Sequence, residues 1–95
     1  MIFSDAFVAI ADPNRRYLLE ELRRGPKTVN ELAAGLPVSR PAVSQHLKVL
    51  LDAGLVNAKA EGIRRVYAVS TAGFLRLNIW LDQFWDIEEL GAPGS

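Results

Sequence analysis

Residues Ser39 to Gly54 read SRPAVSQHLKVLLDAG, and the rest of the chain is organised around them. Ser39 can accept a bond from an orphan backbone N–H and so cap a helix. Pro41 fits the first turn, where its missing N–H costs nothing. Val43, Leu47, Leu50 and Leu51 fall at i, i+4, i+7 and i+8, which makes one apolar stripe. Arg40, Ala42, Ser44, Gln45 and Lys48 are left on the other faces, and Gly54 supplies a left-handed stop. The exposed set is small and polar near the helix start and holds no acid before Asp52. A helix that presses its N-terminal half against a polyanion needs this composition, so the stretch reads as a DNA-recognition helix.

The totals bound the alternatives. Ninety-five residues make one domain, with limited core for its size, so self-association is a natural source of further burial. Apolar residues make up 49% of the chain, too many for disorder. There is no cysteine, which excludes disulfides, thiolate metal sites and thiol switches. The start, MIFSDAFVAIADP, lacks a basic segment, and Asp5 and Asp12 interrupt its apolar residues. We therefore expect no signal peptide, no membrane contact and a cytoplasmic location. Net charge is zero, but the charges are segregated. From Ser39 to Arg76 there are six basic residues and two acidic ones, a local balance of +4, and every charge after Arg76 is acidic.

In chain order, Ser4 to Ala11 reads as a first helix capped by Ser4, with Phe3, Phe7 and Ile10 on one side. Asp12-Pro13 opens a second helix, with Tyr17, Leu18, Leu22 and Leu19 inward, Arg15 and Arg16 as solvated surface or, alternatively, a phosphate contact, and Gly25-Pro26 as its end. Thr28 and Glu31 form a capping box for a short third helix. Gly35 to Val38 is then the turn into Ser39, which completes a helix-turn-helix. Between Val56 and Val69 the period changes to alternation around Glu61-Gly62, which predicts a β-hairpin carrying Arg64 and Arg65. Thr71 caps a last helix to about Leu90, with Phe74, Leu77, Leu81, Phe84 and Ile87 in one row and Trp80 and Trp85 beside it. Gly91 to Ser95 read as a flexible tail. The fold class is mainly α with a β-hairpin wing, a winged helix-turn-helix in the order α-α-α-α-β-β-α, with residues 1–90 as a single DNA-binding and dimerisation domain and 91–95 as the tail.

This order, together with Ala11 to Arg16 (ADPNRR), the VSQHLKVLLDAGLV run ending at Val56, and Glu61 to Tyr67 (EGIRRVY), resembles the ArsR/SmtB-like bacterial repressors. Ser44-Gln45-His46-Leu47 followed by Ala53-Gly54-Leu55-Val56 ties the likeness to this family more closely than a helix-turn-helix alone would. The resemblance implies a homodimer that binds operator DNA and represses transcription. Metal-sensing members carry cysteines on the third helix, where this chain has Glu31 to Leu36, or His and carboxylates on the last helix, where it has Asp82, Asp86, Glu88 and Glu89 but no His. Carboxylates alone suit hard cations and not zinc. The Trp80-Leu81 and Phe84-Trp85-Asp86 pattern is similar to the members that do not sense metals. No metal and no cofactor is expected.

The candidate DNA contacts follow. Ser44 and Gln45 can bond base edges and Ala42 can touch a thymine methyl; the alternative for each is a solvated helix position. Thr28, Ser39, Arg40 and Lys48 are placed for phosphates near the helix N-terminus. Arg64 and Arg65 alternate across the wing strand, so one of the two is expected to face DNA, on a phosphate or in the minor groove; the alternative for the pair is a charged strand edge that blocks aggregation. His46, the single histidine, is a poor metal ligand on its own and reads as a bond to DNA backbone or to a neighbouring helix. Phe3, Phe7, Ile10, Phe74, Leu77, Trp80, Leu81, Phe84 and Trp85 make the candidate dimer surface, and the same aromatics could line a ligand pocket. No phosphate loop, activated nucleophile or HExxH motif is present, so no enzyme is expected. The partners expected are double-stranded DNA, a second copy, and an unknown small-molecule or protein inducer. The competing reading is a winged-helix protein-interaction module without specific DNA readout.

Overall fold

The computed structural model describes residues 2–85, with side chains from Asp5 onward. Among these residues five helices and three strands follow one another: α1 (Ile2–Ile10), α2 (Pro13–Arg23), β1 (Lys27–Thr28), α3 (Val29–Ala33), α4 (Arg40–Asp52), β2 (Val56–Glu61), β3 (Arg64–Val69) and α5 (Thr71–Asp82). The expected extension of the last helix to Leu90, the tail 91–95 and the Phe3 side chain lie outside the described residues.

The helix starts are set by side-chain caps. Asp12 accepts from the backbone N–H groups of Asn14 (2.7 Å) and Arg15 (3.2 Å) at the start of α2. Thr28 and Glu31 close the expected capping box on α3. Ser39 Oγ accepts from Ala42 N–H at 3.3 Å on α4. Two starts differ from expectation. α1 begins at Ile2, ahead of Ser4. α5 is capped by Ser70 and not Thr71: the Ser70 side chain accepts from Gly73 N–H at 3.2 Å.

The sheet also exceeds expectation by one strand. β1 is only two residues long, yet it pairs antiparallel with β3, Lys27 opposite Tyr67 and Thr28 opposite Val66. β3 is therefore central and the order is β1-β3-β2. This pairing ties the entrance of the helix-turn-helix to the wing. On β2 and β3, Val56 faces Val69 and Ala58 faces Tyr67, which sets an apolar row toward the helices.

One core joins all of these elements. Leu18 and Leu22 of α2, Leu32 of α3, and Val43, Leu47 and Leu50 of α4 meet Leu55, Val56 and Tyr67. Ala6 and Ala9 let α1 lie close against them. Leu77 is also in this core, only 5% exposed, so it is not available to the dimer surface to which the sequence assigned it. α5 turns Gly73 and Leu77 inward and leaves Leu75 and Ile79 outside.

Gly73 sits where the start of α5 meets the end of α4. A Cβ at this position would collide with the carbonyl oxygen of Gly54, and Ser70 N–H donates to Leu55 O at 2.9 Å across the same contact. Replacing Gly73 by Ala should add helix propensity worth about 1 kcal/mol but force main chain apart at a cost of about 1–3 kcal/mol. Because the atom in the way is backbone and cannot rotate aside, we expect a net loss of stability. Urea denaturation of the Gly73→Ala protein tests this, and a midpoint at or above wild type would contradict it.

Candidate nucleic-acid interface

The N-terminal half of α4 and the wing face one another across an open cleft. Arg40, Ser44, Gln45 and Lys48 form one side, and Arg64, Arg65 and the wing-tip residue Ile63 form the other. Thr28 and Glu31, from the start of α3, close one end. The burial of Val43, Leu47 and Leu50, all fully enclosed, is what turns Ser44, Gln45 and Lys48 outward.

Four cations border the cleft, against the carboxylates of Glu31 and Asp52. Lys48 Nζ contacts Asp52 at 2.9 Å, but both side chains are about two-thirds exposed. A pair of this kind contributes about 0–1 kcal/mol, so a phosphate can displace the carboxylate. Arg64 and Arg65 both reach the cleft, although alternation along the strand predicts that one would. β1 pairs only with Val66 and Tyr67, so the strand edge beside both arginines is open to long side chains. The Arg65 guanidinium lies over the Tyr67 ring, 5.7 Å from its centroid, which orders it at the rim.

The sequence-predicted contacts separate into three groups. Arg40, Ser44, Gln45, Lys48, Arg64 and Arg65 come together. Thr28 lies at the edge, its hydroxyl already bonded to Glu31. Ser39, Ala42 and His46 do not line the cleft; Ser39 is held as the α4 cap, and His46 is half-buried and faces α2. Its Nδ1 lies 3.2 Å from Arg15 Nη1. Guanidinium only donates, so Nδ1 accepts and the neutral ring carries its proton on Nε2. The same arginine donates to the carbonyls of Ala9 (2.6 Å) and Val8 (3.1 Å), and Arg16 donates to Ile10 at 2.9 Å. Both arginines satisfy terminal carbonyls of α1; Arg16 does so while exposed, as a solvated position is expected to be, whereas Arg15 is half-buried and joins α1 to the recognition helix.

The candidate dimer residues form a separate surface. Phe7 meets Trp80 edge-on at 4.8 Å, and Trp80 meets Phe84 at 4.6 Å, which links α1 to α5. Leu81 is half-buried beside the core. Phe84 and Trp85 are exposed, together with Leu75, Ile79 and Val8, which sequence reading did not select. Ile10 and Phe74 instead border a shallow apolar hollow with Leu19 and Val69, rimmed by Arg16 and Arg23. Among the described residues, no cluster of three or more His, Asp or Glu could hold a metal ion, and no helix is long and apolar enough to cross a membrane.

This geometry agrees with what known proteins resemble the chain. Residues 12–58, from the α2 cap into β2, match the model of the bacterial regulatory protein, arsR family. Over 80 residues the chain is 54% identical to the HTH-type transcriptional regulator Rv2034 of Mycobacterium tuberculosis, covering 84% of this chain and 75% of that protein. The chain belongs to the arsR family. It is thus a transcriptional regulator and not an enzyme, on a winged helix-turn-helix fold. A crystal structure of an ArsR family transcriptional regulator superposes with a TM-score of 0.82 at 34% identity, over 87% of this chain and 91% of that one. The homodimeric winged helix-turn-helix DNA-binding domain of a Mycobacterium bovis relative superposes at 0.73 and 25% identity, over 87% and 77% of the two chains.

One titratable group holds the cleft's end in place. The backbone N–H of Thr28 (2.8 Å from Oε1) and then its hydroxyl hold the Glu31 carboxyl below its ordinary value of 4.5. A carboxylate with a lowered folded-state pKa stabilises the fold above its ordinary range and loses that contribution as pH falls through the folded value. We expect Glu31→Gln to be less stable than wild type at about pH 7 and the gap to narrow in acid, below the ordinary carboxylate range. Urea midpoints at neutral and acid pH measure it; a gap that persists undiminished in acid would contradict the assignment.

Proposed function

We propose that the protein is a dimeric transcriptional repressor that acts in the cytoplasm and binds a palindromic operator through α4 and the wing. The observation that carries this reading is the shared cleft: readout-competent Ser44 and Gln45 lie between cations from two different elements. α4 enters the major groove, where glutamine can bond adenine in two places and serine can bond several bases. Arg40, Lys48, Arg64 and Arg65 neutralise phosphates and set the register. Net charge is zero over the chain, so attraction to DNA is local to this face.

The second copy is proposed on two grounds. Leu75, Ile79, Phe84 and Trp85 are large apolar residues left exposed on and just after α5, and Val8 of α1 is exposed as well, a concentration of apolar surface of the kind that marks an interaction site. The Mycobacterium bovis relative is described as homodimeric. A two-fold dimer presents two α4 helices to half-sites about 34 Å apart. Repression then follows from occupation of promoter DNA, and an inducing small molecule or protein would act by favouring a dimer geometry with the wrong helix spacing.

Two variants separate readout from charge. Gln45→Ala should lose about 1–3 kcal/mol of discrimination between operator and scrambled DNA. Arg64→Ala should weaken both DNAs alike and make the salt dependence shallower by about one counterion. Fluorescence anisotropy with the DNA upstream of the protein's own gene, at several salt concentrations, reads both effects. Full discrimination by Gln45→Ala, or an unchanged salt slope for Arg64→Ala, removes the corresponding role. A wild-type protein that does not distinguish the two DNAs removes the repressor reading itself.

A further inference from the structure

The wing ends in a two-residue loop, Gly62-Ile63, between Glu61 and Arg64. Gly62 has φ of +63°, and among the described residues only glycines have a positive φ, so Ile63 does not; this is the pattern of a type II′ turn with glycine at its first central position. The second central position then falls to Ile63. In this turn only the first central position has positive φ and calls for glycine; the second takes any residue, and serine there can add local hydrogen bonds. Here the position holds a β-branched hydrocarbon that is fully exposed and belongs neither to the core nor to the residues packed on it. The hairpin gains nothing from it. Neither the turn nor the core accounts for a large apolar side chain at this position.

Ile63 also borders the cleft that holds Ser44 and Gln45, with Arg64 and Arg65 next to it in sequence. An isolated exposed isoleucine elsewhere on the surface would need no explanation. At the wing tip, beside two arginines and bordering the cleft shared with the recognition helix, it has the composition of a minor-groove contact. Proteins that bind that groove combine arginine, which its negative potential attracts, with apolar side chains set against the floor or between base steps. The groove is about 6 Å wide, too narrow for a β-hairpin but wide enough for one side chain from its tip.

We propose that Ile63 is an apolar minor-groove contact: with α4 in the major groove, the wing tip seats Ile63 in the adjacent minor groove and Arg64 on its phosphate wall. This rests on the repressor reading and extends it. Its consequence is selectivity at base pairs flanking those that α4 touches. Pyrimidine–purine steps such as TA open easily and accept an apolar wedge, whereas stiff G·C-rich flanks resist it.

The test uses the full-length protein, an operator duplex selected from random-sequence DNA by wild type, and versions of it with TA-containing or G·C-rich flanks. Ile63→Ser is the main variant. Serine suits the turn, so the thermal midpoint should stay at or above wild type. Ile63→Leu keeps the apolar bulk. Wild type should prefer TA-containing flanks. Ile63→Ser should bind the TA-flanked operator about tenfold more weakly, the scale of losing burial of one aliphatic side chain, and lose its flank preference. Its slope of affinity against salt should match wild type, because an apolar contact releases no counterions. Ile63→Leu should retain both affinity and preference. The proposal is overturned if Ile63→Ser binds as tightly and with the same flank preference as wild type. A shallower salt slope also overturns it, since the effect would then belong to a displaced Arg64. Selection that yields no preferred sequence with wild type removes the repressor reading and this inference together. A preferred operator indifferent to residue 63 removes this inference alone.

Discussion

The structure depends on the docking of one edge of α4. Val43, Leu47 and Leu50 are fully enclosed among leucines from α2, α3 and the segment leading into β2. Each aliphatic side chain buried this way contributes about 1.5–3 kcal/mol, so the rotation of α4 about its axis is set by the core. Once that rotation is set, Ser44, Gln45 and Lys48 have no choice but to face the solvent on the wing side. Specific readout needs side chains held in one orientation, and here the orientation comes from the hydrophobic face opposite to the working one.

Charge follows the same division. A balanced total of eleven basic and eleven acidic residues conceals a cleft bordered by Arg40, Lys48, Arg64 and Arg65. Two of the remaining arginines, Arg15 and Arg16, bond the carbonyls at the end of α1. The fold therefore separates cations into those that complete the backbone's hydrogen bonding and those gathered at the cleft, where the exposed ion pair of Lys48 with Asp52 is weak enough for an anionic partner to displace.

Much of this was legible because it is local. Asp12, Thr28 and Ser39 cap helices through bonds spanning two or three residues, and such spacings are visible in a sequence. So are the α4 stripe and the turn at Gly62. What escaped reading depends on residues far apart in the chain. β1 has two residues and exists only because β3 runs beside it, so it has no periodicity to find. The bond between Arg15 and His46 spans 31 positions. On α5, 3.6-residue spacing places Leu77 and Leu81 on one stripe with Phe74, but it cannot say which stripe the core will cover. Leu77 went inward while Leu75 and Ile79 stayed out, because Gly73 fixes where α5 touches the end of α4.

That contact at Gly73 has a consequence for how the family's architecture tolerates change. Where helices meet through side chains, every core substitution of altered volume shifts their spacing and tilt. At the start of α5 the neighbour is the main chain of Gly54 and Leu55, whose dimensions no substitution elsewhere alters. The separation of the two segments at this point is thus fixed by peptide geometry, a ruler that does not wear. Leucines in the rest of the core can drift among similar shapes while this one point of contact keeps its dimension.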